Sequence, residues 1–230
     1  MSISTVGGRV LSVLLPQECV LCGARSGDAL LCAGCADTLP PLPAPRCPVC
    51  ALPAPDGGIC GACLKSPPAF DACLAVWRYA FPVDKLIQAL KFEHRLALAG
   101  FFAAAMLEGP RPGGDLLIPV PLSPQRLKER GFNQAVEIAR PLAQALGIPL
   151  RRDDCKRTLE TVPQTSLPWK ERRRNVKHAF ECQADLAGKA VIVVDDVMTT
   201  GATLDEFART LKQQGASRVT NWVVARALRD

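Results

Sequence analysis

Residues 191–203 read Val-Ile-Val-Val-Asp-Asp-Val-Met-Thr-Thr-Gly-Ala-Thr, and this run limits the fold more than any other part of the chain. Four β-branched residues lead into two carboxylates, a Thr/Gly-rich turn follows, and an amphipathic stretch begins. The order is strand, loop, helix, which presents a ligand site at the carboxyl end of a strand in an α/β protein. Thr199, Thr200, Gly201, Ala202 and Thr203 precede or open the helix, where N–H groups, hydroxyls and the helix dipole favour a phosphate. Gly201 permits a positive φ or a close backbone approach. Asp195 and Asp196 repel phosphate, so they must face another part of the ligand, and two vicinal hydroxyls would donate to them. The deduced ligand is a ribose 5-phosphate moiety. In the plainer reading the acids merely end a strand and the turn caps a helix. A cap needs one oxygen, not this many convergent groups.

The second constraint lies near the start. Eight of the eleven cysteines form four CxxC pairs, Cys19/Cys22, Cys32/Cys35, Cys47/Cys50 and Cys60/Cys63, with nine residues between the first two pairs and nine between the last two. Each knuckle supplies two thiolates, and two knuckles close a tetrahedral zinc site. The repeat suggests a double zinc ribbon with sequential pairing, although interleaved pairing satisfies the spacing as well. Disulfides fit less well, because nothing marks the chain for export and cytosolic thiols stay reduced. Iron–sulfur ligation is a minor alternative. Large apolar residues are scarce between the knuckles, so the metal is expected to supply the stability of this segment. All-cysteine sites leave no open position for catalysis. Arg25, Arg46 and Lys65 are the basic residues among the knuckles, a thin surface for DNA. Cys73, Cys155 and Cys182 are scattered and read as single buried thiols.

From about residue 70 the pattern alternates. Residues 73–79 read as a strand. Pro82 opens a helix with Val83, Leu86, Ile87 and Leu90 on one face. Residues 93–108 read as a second helix and 116–120 as a buried strand. One long helix should follow, with Phe132, Ala135, Val136, Ala139, Leu142, Ala143 and Leu146 inward and Gly147 at its end. A short strand lies within 149–158, and part of 159–180 is loop. After the opening motif, Leu204, Phe207, Ala208 and Leu211 form a helix face ending by Gly215, and residues 218–225 form another strand. Alternating strands and helices imply a parallel sheet with helices on both faces. No Walker A lysine motif occurs, and no GxGxxG follows a strand, which disfavours both common nucleotide-binding α/β folds.

At 230 residues the chain suits one full-sized domain plus a small appendage. The net charge of +6 is compatible with phosphate-bearing partners. The longest apolar stretch, residues 96–107, falls short of a membrane span, and the apolar start at residues 10–15 lacks a cleavage site. The expected location is the cytoplasm.

These residues carry a resemblance. The run at 191–203 resembles the phosphoribosyl pyrophosphate (PRPP) signature of type I phosphoribosyltransferases. More narrowly, the whole chain is similar to the ComF competence-protein family. The likeness takes in the cysteine knuckles and residues 85–92, ending in Leu90-Lys91-Phe92. It includes Ile118-Pro-Val-Pro-Leu with Arg126 and Arg130-Gly-Phe-Asn-Gln134. It ends with Gln164, Arg173-Asn-Val and Ala179-Phe180. It implies a type I phosphoribosyltransferase-like α/β domain, a parallel sheet flanked by helices, over residues 67–230. A small zinc-ribbon domain over residues 1–66 would precede it. By position, Asp195 and Asp196 would hold the ribose hydroxyls of PRPP, and residues 199–203 its 5-phosphate. Val120, Pro121, Leu122 and Ser123 match the pyrophosphate loop, which in such proteins often has an unusual peptide geometry. Arg126 and Arg130 just beyond it could neutralise pyrophosphate, against the plainer reading of a solvated helix face. Arg172, Arg173 and Arg174 stand where a loop would close over PRPP, again against a solvated charge run. Mg²⁺ would bridge pyrophosphate and ribose oxygens. His94 and His178 are read as surface or packing residues.

The resemblance also implies a role in natural transformation. Three functions follow: a PRPP-dependent transferase with an unassigned acceptor, a PRPP-responsive module without chemistry that assists DNA uptake, and a zinc-dependent binder of single-stranded DNA. The expected partners are PRPP and, among macromolecules, single-stranded DNA or competence proteins.

Overall fold

The computed structural model describes residues 17–158 and 177–228. Arg172, Arg173, Arg174, Gln164 and the apolar start at 10–15 lie outside the described residues. The strands are β1 (Gln17–Glu18), β2 (Arg25–Gly27), β3 (Ala72–Arg78), β4 (Leu116–Pro119), β5 (Cys155–Arg157), β6 (Phe180–Cys182), β7 (Ala190–Met198) and β8 (Arg218–Arg226). The helices are α1 (Ala33–Asp37), α2 (Gly61–Lys65), α3 (Val83–Phe92), α4 (Ala97–Glu108), α5 (Pro124–Arg130), α6 (Gln134–Leu146) and α7 (Ala202–Gln213).

The central sheet runs β3-β8-β7-β4 with every pair parallel. Parallel strands need covered faces, and the pleat sorts the side chains between two of them. Leu117, Ile192, Val194, Trp222 and Val224 face α3, α4 and α6, and pack with Leu86, Phe102, Ile138 and Leu142. Ile118, Val191, Val193, Val219 and Val223 face the other way, onto Leu204, Phe207, Ala208 and Leu211 of α7.

The cysteine segment straddles the β3 edge of this sheet. Cys19 and Leu31 belong to the first face, whereas Cys47, Cys50, Ala51 and Cys63 belong to the second. The stretch between the two clusters pairs with β3, Leu42 N–H donating to Val76 O and Arg78 N–H to Pro40 O, and Cys73 N–H donates to Pro48 O of the following knuckle. An edge strand with open N–H and C=O groups is a template for unwanted pairing, and this proline-dense stretch covers it.

Three expectations need correction. The long helix after β4 is two helices. Gly131 ends α5 at φ 78, and Asn133 Oδ1 accepts from Ala135 N–H at 2.9 Å to cap α6. The break changes the phase, so Ile138 is fully buried while Phe132, Val136 and Leu146 are only half-buried. The helix expected from residue 93 starts at Ala97, because α3 runs on to Phe92 and Glu93 caps it. Finally, Cys155 and Cys182 are not separate thiols. They are register partners in the antiparallel β5–β6 pair and form a disulfide. Cys73 does stand as a single buried thiol, which burial pushes up to about 12.

Candidate functional site

The eight knuckle cysteines gather into two groups, Cys19, Cys22, Cys32, Cys35 and Cys47, Cys50, Cys60, Cys63, with all sulfurs of a group within 4.8 Å of one another. The pairing is sequential. A tetrahedron with Zn–S arms of about 2.3 Å has edges of about 3.8 Å. Cys22 and Cys32 Sγ lie 3.8 Å apart and Cys50 and Cys60 Sγ 3.6 Å apart, so both groups fit the ion as they stand. Backbone N–H groups point at the sulfurs, as at Cys60 N–H to Cys47 Sγ (3.3 Å). Burial pushes the Cys47 thiol up, but the N–H groups of Cys60, Cys50 and Val49 pull it down to about 7. One thiolate of the group is therefore favoured before any ion arrives, whereas burial pushes the Cys50 and Cys63 thiols up, so that the ion itself must displace their protons.

A cleft of about 700 Å³ opens at the carboxyl ends of β4 and β7. Its walls include Val120, Pro121, Leu122, Arg126, Arg130, Asp195, Asp196, Thr199 and Thr203. A niche of about 40 Å³ at the N-terminus of α7 is lined by Asp195, Thr199, Gly201, Ala202 and Thr203. The first-turn N–H groups of a helix lack partners within it, and such a niche suits an anion. Thr200 turns elsewhere, its Oγ1 accepting from Ala202 N–H at 3.2 Å. Ser123 is buried, and its Oγ accepts from Arg126 N–H at 3.5 Å as the cap of α5. The 120–123 turn has no cis bond; the cis peptides among the described residues are Ala44-Pro45 and Phe81-Pro82. Asn133 Nδ2 donates to Val120 O at 3.0 Å and fixes that turn.

Strand β7 continues past both acids to Met198, so they alternate across the pleat rather than standing together at its end. Asp196 is buried on the α3/α6 side. Lys91 Nζ is ion-paired to its Oδ2, and Gln134 Nε2 donates to its Oδ1 at 2.9 Å. Asp195 accepts from Asp196 N–H at 2.9 Å and faces the niche. The two environments split the pair. Burial, and then the charge of Asp196, hold the Asp195 carboxyl well above the usual range. Burial acts against Asp196 too, but Lys91 and Gln134 prevail and hold it low.

Lys91, Gln134 and Arg157 also line the cleft and were not among the sequence-derived site residues. Lys91 carries a weak signal, a basic residue closing an amphipathic helix beside the resemblance motif. Arg157 carries none: it reaches the cleft through a three-residue strand, with its guanidinium 5.5 Å from the Phe180 ring. Lys91, Arg126, Arg130 and Arg157 face Asp195, Asp196 and Glu129, so the cleft holds four cations against three carboxylates and favours a polyanion. His94 sits at the rim, exposed, its ring 3.1 Å from Arg130 O; His178 is exposed away from the cleft.

Gly201 turns into α7 at φ 83, and a Cβ there would stand 2.7 Å from Met198 Cε. Gly201→Ala is expected to cost about 1–2 kcal/mol from the left-handed backbone alone. Urea unfolding checks this, and an unchanged midpoint would show the turn to be free of the constraint.

Two family models match the chain, a double zinc ribbon domain over residues 10–64 and a phosphoribosyl transferase domain over residues 132–229. The chain is 37% identical over 191 residues to the DNA utilization protein YhgH of Escherichia coli O157:H7, covering 79% of this chain and 84% of the relative. It is 35% identical over 179 residues to competence protein F of Haemophilus influenzae, covering 73% and 78%. It is 27% identical over 212 residues to competence protein ComFC of Bacillus subtilis, covering 87% and 85%. Among the described residues no helix is long and apolar enough to cross a membrane.

Proposed function

The chain belongs to the ComF competence-protein family, and from that premise we propose that its cleft binds PRPP with Mg²⁺ as a phosphoribosyltransferase-type site serving DNA uptake in the cytoplasm. The observation that carries the reading is the joining of an anion niche at the start of α7 to a cationic cleft through a carboxylate, Asp195, that lines both. PRPP carries the three matching groups in one molecule: its 5-phosphate would enter the niche, its ribose hydroxyls would meet Asp195, and its pyrophosphate would lie toward Arg126, Arg130 and Arg157. Lys91 is the added element. Already paired with Asp196, it can donate to a ribose or phosphate oxygen without a bare charge being left behind.

The donor set suits Mg²⁺ carried in by the ligand. Asp196 is engaged by Lys91, and Asp195 offers a carboxylate, while Mg²⁺ keeps several waters and takes one or two carboxylates together with substrate phosphates. Bound there, the ion would offset the charge of departing pyrophosphate. The protein's residues hold the sugar, orient its C1 toward the open cleft and stabilise the leaving group; no protein nucleophile is required. The acceptor is not assigned. The names of the relatives, DNA utilization protein and competence protein F, support the link to DNA use. Direct DNA binding by the ribbons has less support, because Arg46, one of the few basic residues there, donates to Ala75 O at 3.3 Å.

Calorimetry with PRPP and Mg²⁺ tests the reading. The wild type is expected to bind, and the Asp195→Ala/Asp196→Ala chain to lose at least about tenfold in affinity, the effect of losing one charged hydrogen bond. Equal binding by both chains sinks the assignment.

A further inference from the structure

We infer that Arg226 is a positioning residue that couples the metal state of the second cysteine cluster to the phosphate turn, so that zinc at Cys47, Cys50, Cys60 and Cys63 and a phosphate ester at residues 199–203 strengthen each other's binding. The inference rests on the reading of that turn as a phosphate site.

Arg226 ends β8 and is 3% exposed. Its Nε donates to Cys50 O at 2.8 Å. Its Nη1 faces the carbonyls of Met198 (2.9 Å), Ala227 (2.7 Å) and Thr199. One rigid, planar guanidinium therefore bridges a cysteine knuckle and the junction of β7 with the turn, Met198 and Thr199. Around it the cluster and the turn enclose a cavity of about 570 Å³ bordered by Cys50, Cys63, Thr200 and Gly201. The guanidinium lines this pocket, beside the buried packing of Cys50, Phe70 and Met198. A smaller link runs in parallel: Cys73 donates from its N–H to Pro48 O at 3.3 Å and from its Sγ to Met198 Sδ at 3.4 Å.

Peptide planarity turns this strut into control of the ligand site. In a trans peptide the C=O of one residue and the N–H of the next point in opposite directions. Holding the carbonyls of Met198 and Thr199 at Arg226 turns the N–H groups of Thr199 and Thr200 away from the cysteine side of the turn. If the Cys47/Cys50 knuckle opens on metal loss, the Cys50 carbonyl leaves Nε and a buried cation loses an acceptor. The guanidinium must then shift, and the Thr199–Thr200 peptide plane shifts with it, while Met198 O keeps its second donor, Ala227 N–H at 3.0 Å. Linkage makes the coupling reciprocal, so a bound phosphate ester must protect the zinc as strongly as the zinc favours the ester.

The test uses the full zinc-loaded chain and ribose 5-phosphate as the probe. Zinc transfer to a coloured chelator is timed with and without saturating ribose 5-phosphate, while alkylation and peptide mass spectrometry report which thiols become free. Release at Cys47, Cys50, Cys60 and Cys63 is expected to slow about fivefold or more, the lower end of usual coupling, with Cys19, Cys22, Cys32 and Cys35 unaffected. In Arg226→Lys, which keeps the charge and loses the fork, that protection is expected to vanish. Identical wild-type release with and without the bound probe overturns the inference, as does protection that persists in Arg226→Lys. Should that variant fail to fold, the wild-type comparison decides alone. Absence of any calorimetric binding of ribose 5-phosphate to the wild type would instead remove the phosphate reading beneath it.

Discussion

Removing both zinc ions from the full chain is expected to unfold residues 17–65 while β7 and β8 stay folded. Helices α1 and α2 have five residues each, and neither has a side-chain hydrogen bond at its N-cap. Helices this short do not persist without outside support. The segment's buried carbon outside the thiols is small, chiefly Leu31, Leu42, Ala51 and Ala54. Structural zinc supplies about 10–16 kcal/mol to such segments, more than these side chains can replace. The sheet has its own core in Trp222, Phe102, Phe207 and Ile138. Hydrogen exchange checks the outcome: after chelation, amides of residues 17–65 should exchange freely and those of 191–194 and 222–224 remain slow. The first ion should leave sooner, because Cys22 is exposed whereas Cys47, Cys50 and Cys63 are buried. Slow exchange throughout 17–65 in a chain shown to be metal-free would refute the prediction.

Neutralising the two neighbouring aspartates should have opposite effects on stability. Folding raises the Asp195 pKa, so the folded state disfavours its ionised form, and stability is lost as pH rises from the unfolded value through the folded one. Asp195→Asn is therefore expected to raise the urea midpoint at neutral pH. The gain over wild type should shrink as pH falls into the usual carboxylate range, where the wild-type group is protonated in both states. Folding lowers the Asp196 pKa, so its contribution is present above the unfolded value and lost as pH falls through the folded one. Asp196→Asn strands Lys91, whose side chain is only 21% exposed, and should cost about 3 kcal/mol. Both variants should weaken ribose 5-phosphate binding. Destabilisation by both substitutions, or by neither, contradicts the split environments.

Much of the architecture was legible because it rests on short-range periodicity. Residues 191–194 alternate between two buried faces, and so read as an unbroken apolar run. Leu204, Phe207, Ala208 and Leu211 sit at helical spacing and bury as a face. The long helix failed at Gly131 and Asn133, where local turn and cap chemistry outweighed a pattern that was amphipathic on both sides. A strand was expected where β5 lies, but β6 escaped because a three-residue strand carries too few residues to show a period, and with it went the pairing of Cys155 and Cys182.

In the cleft the same division holds. Asp195 and the niche-forming residues of the 199–203 turn lie within one strand–turn–helix unit, whose geometry follows from neighbours a few residues apart. The sequence alone therefore determined the niche at the start of α7 and the four cysteine pairs, since CxxC spacing already brings each pair of sulfurs together; which pairs share a site was decided by the fold. Only the tertiary structure decided that Lys91 and Gln134 take Asp196, that Arg157 enters the cleft, and that Arg226 joins a cysteine knuckle to the turn. Those partners come from separate strands and helices. Their meeting depends on sheet order and on which face each element covers, and no local period encodes either.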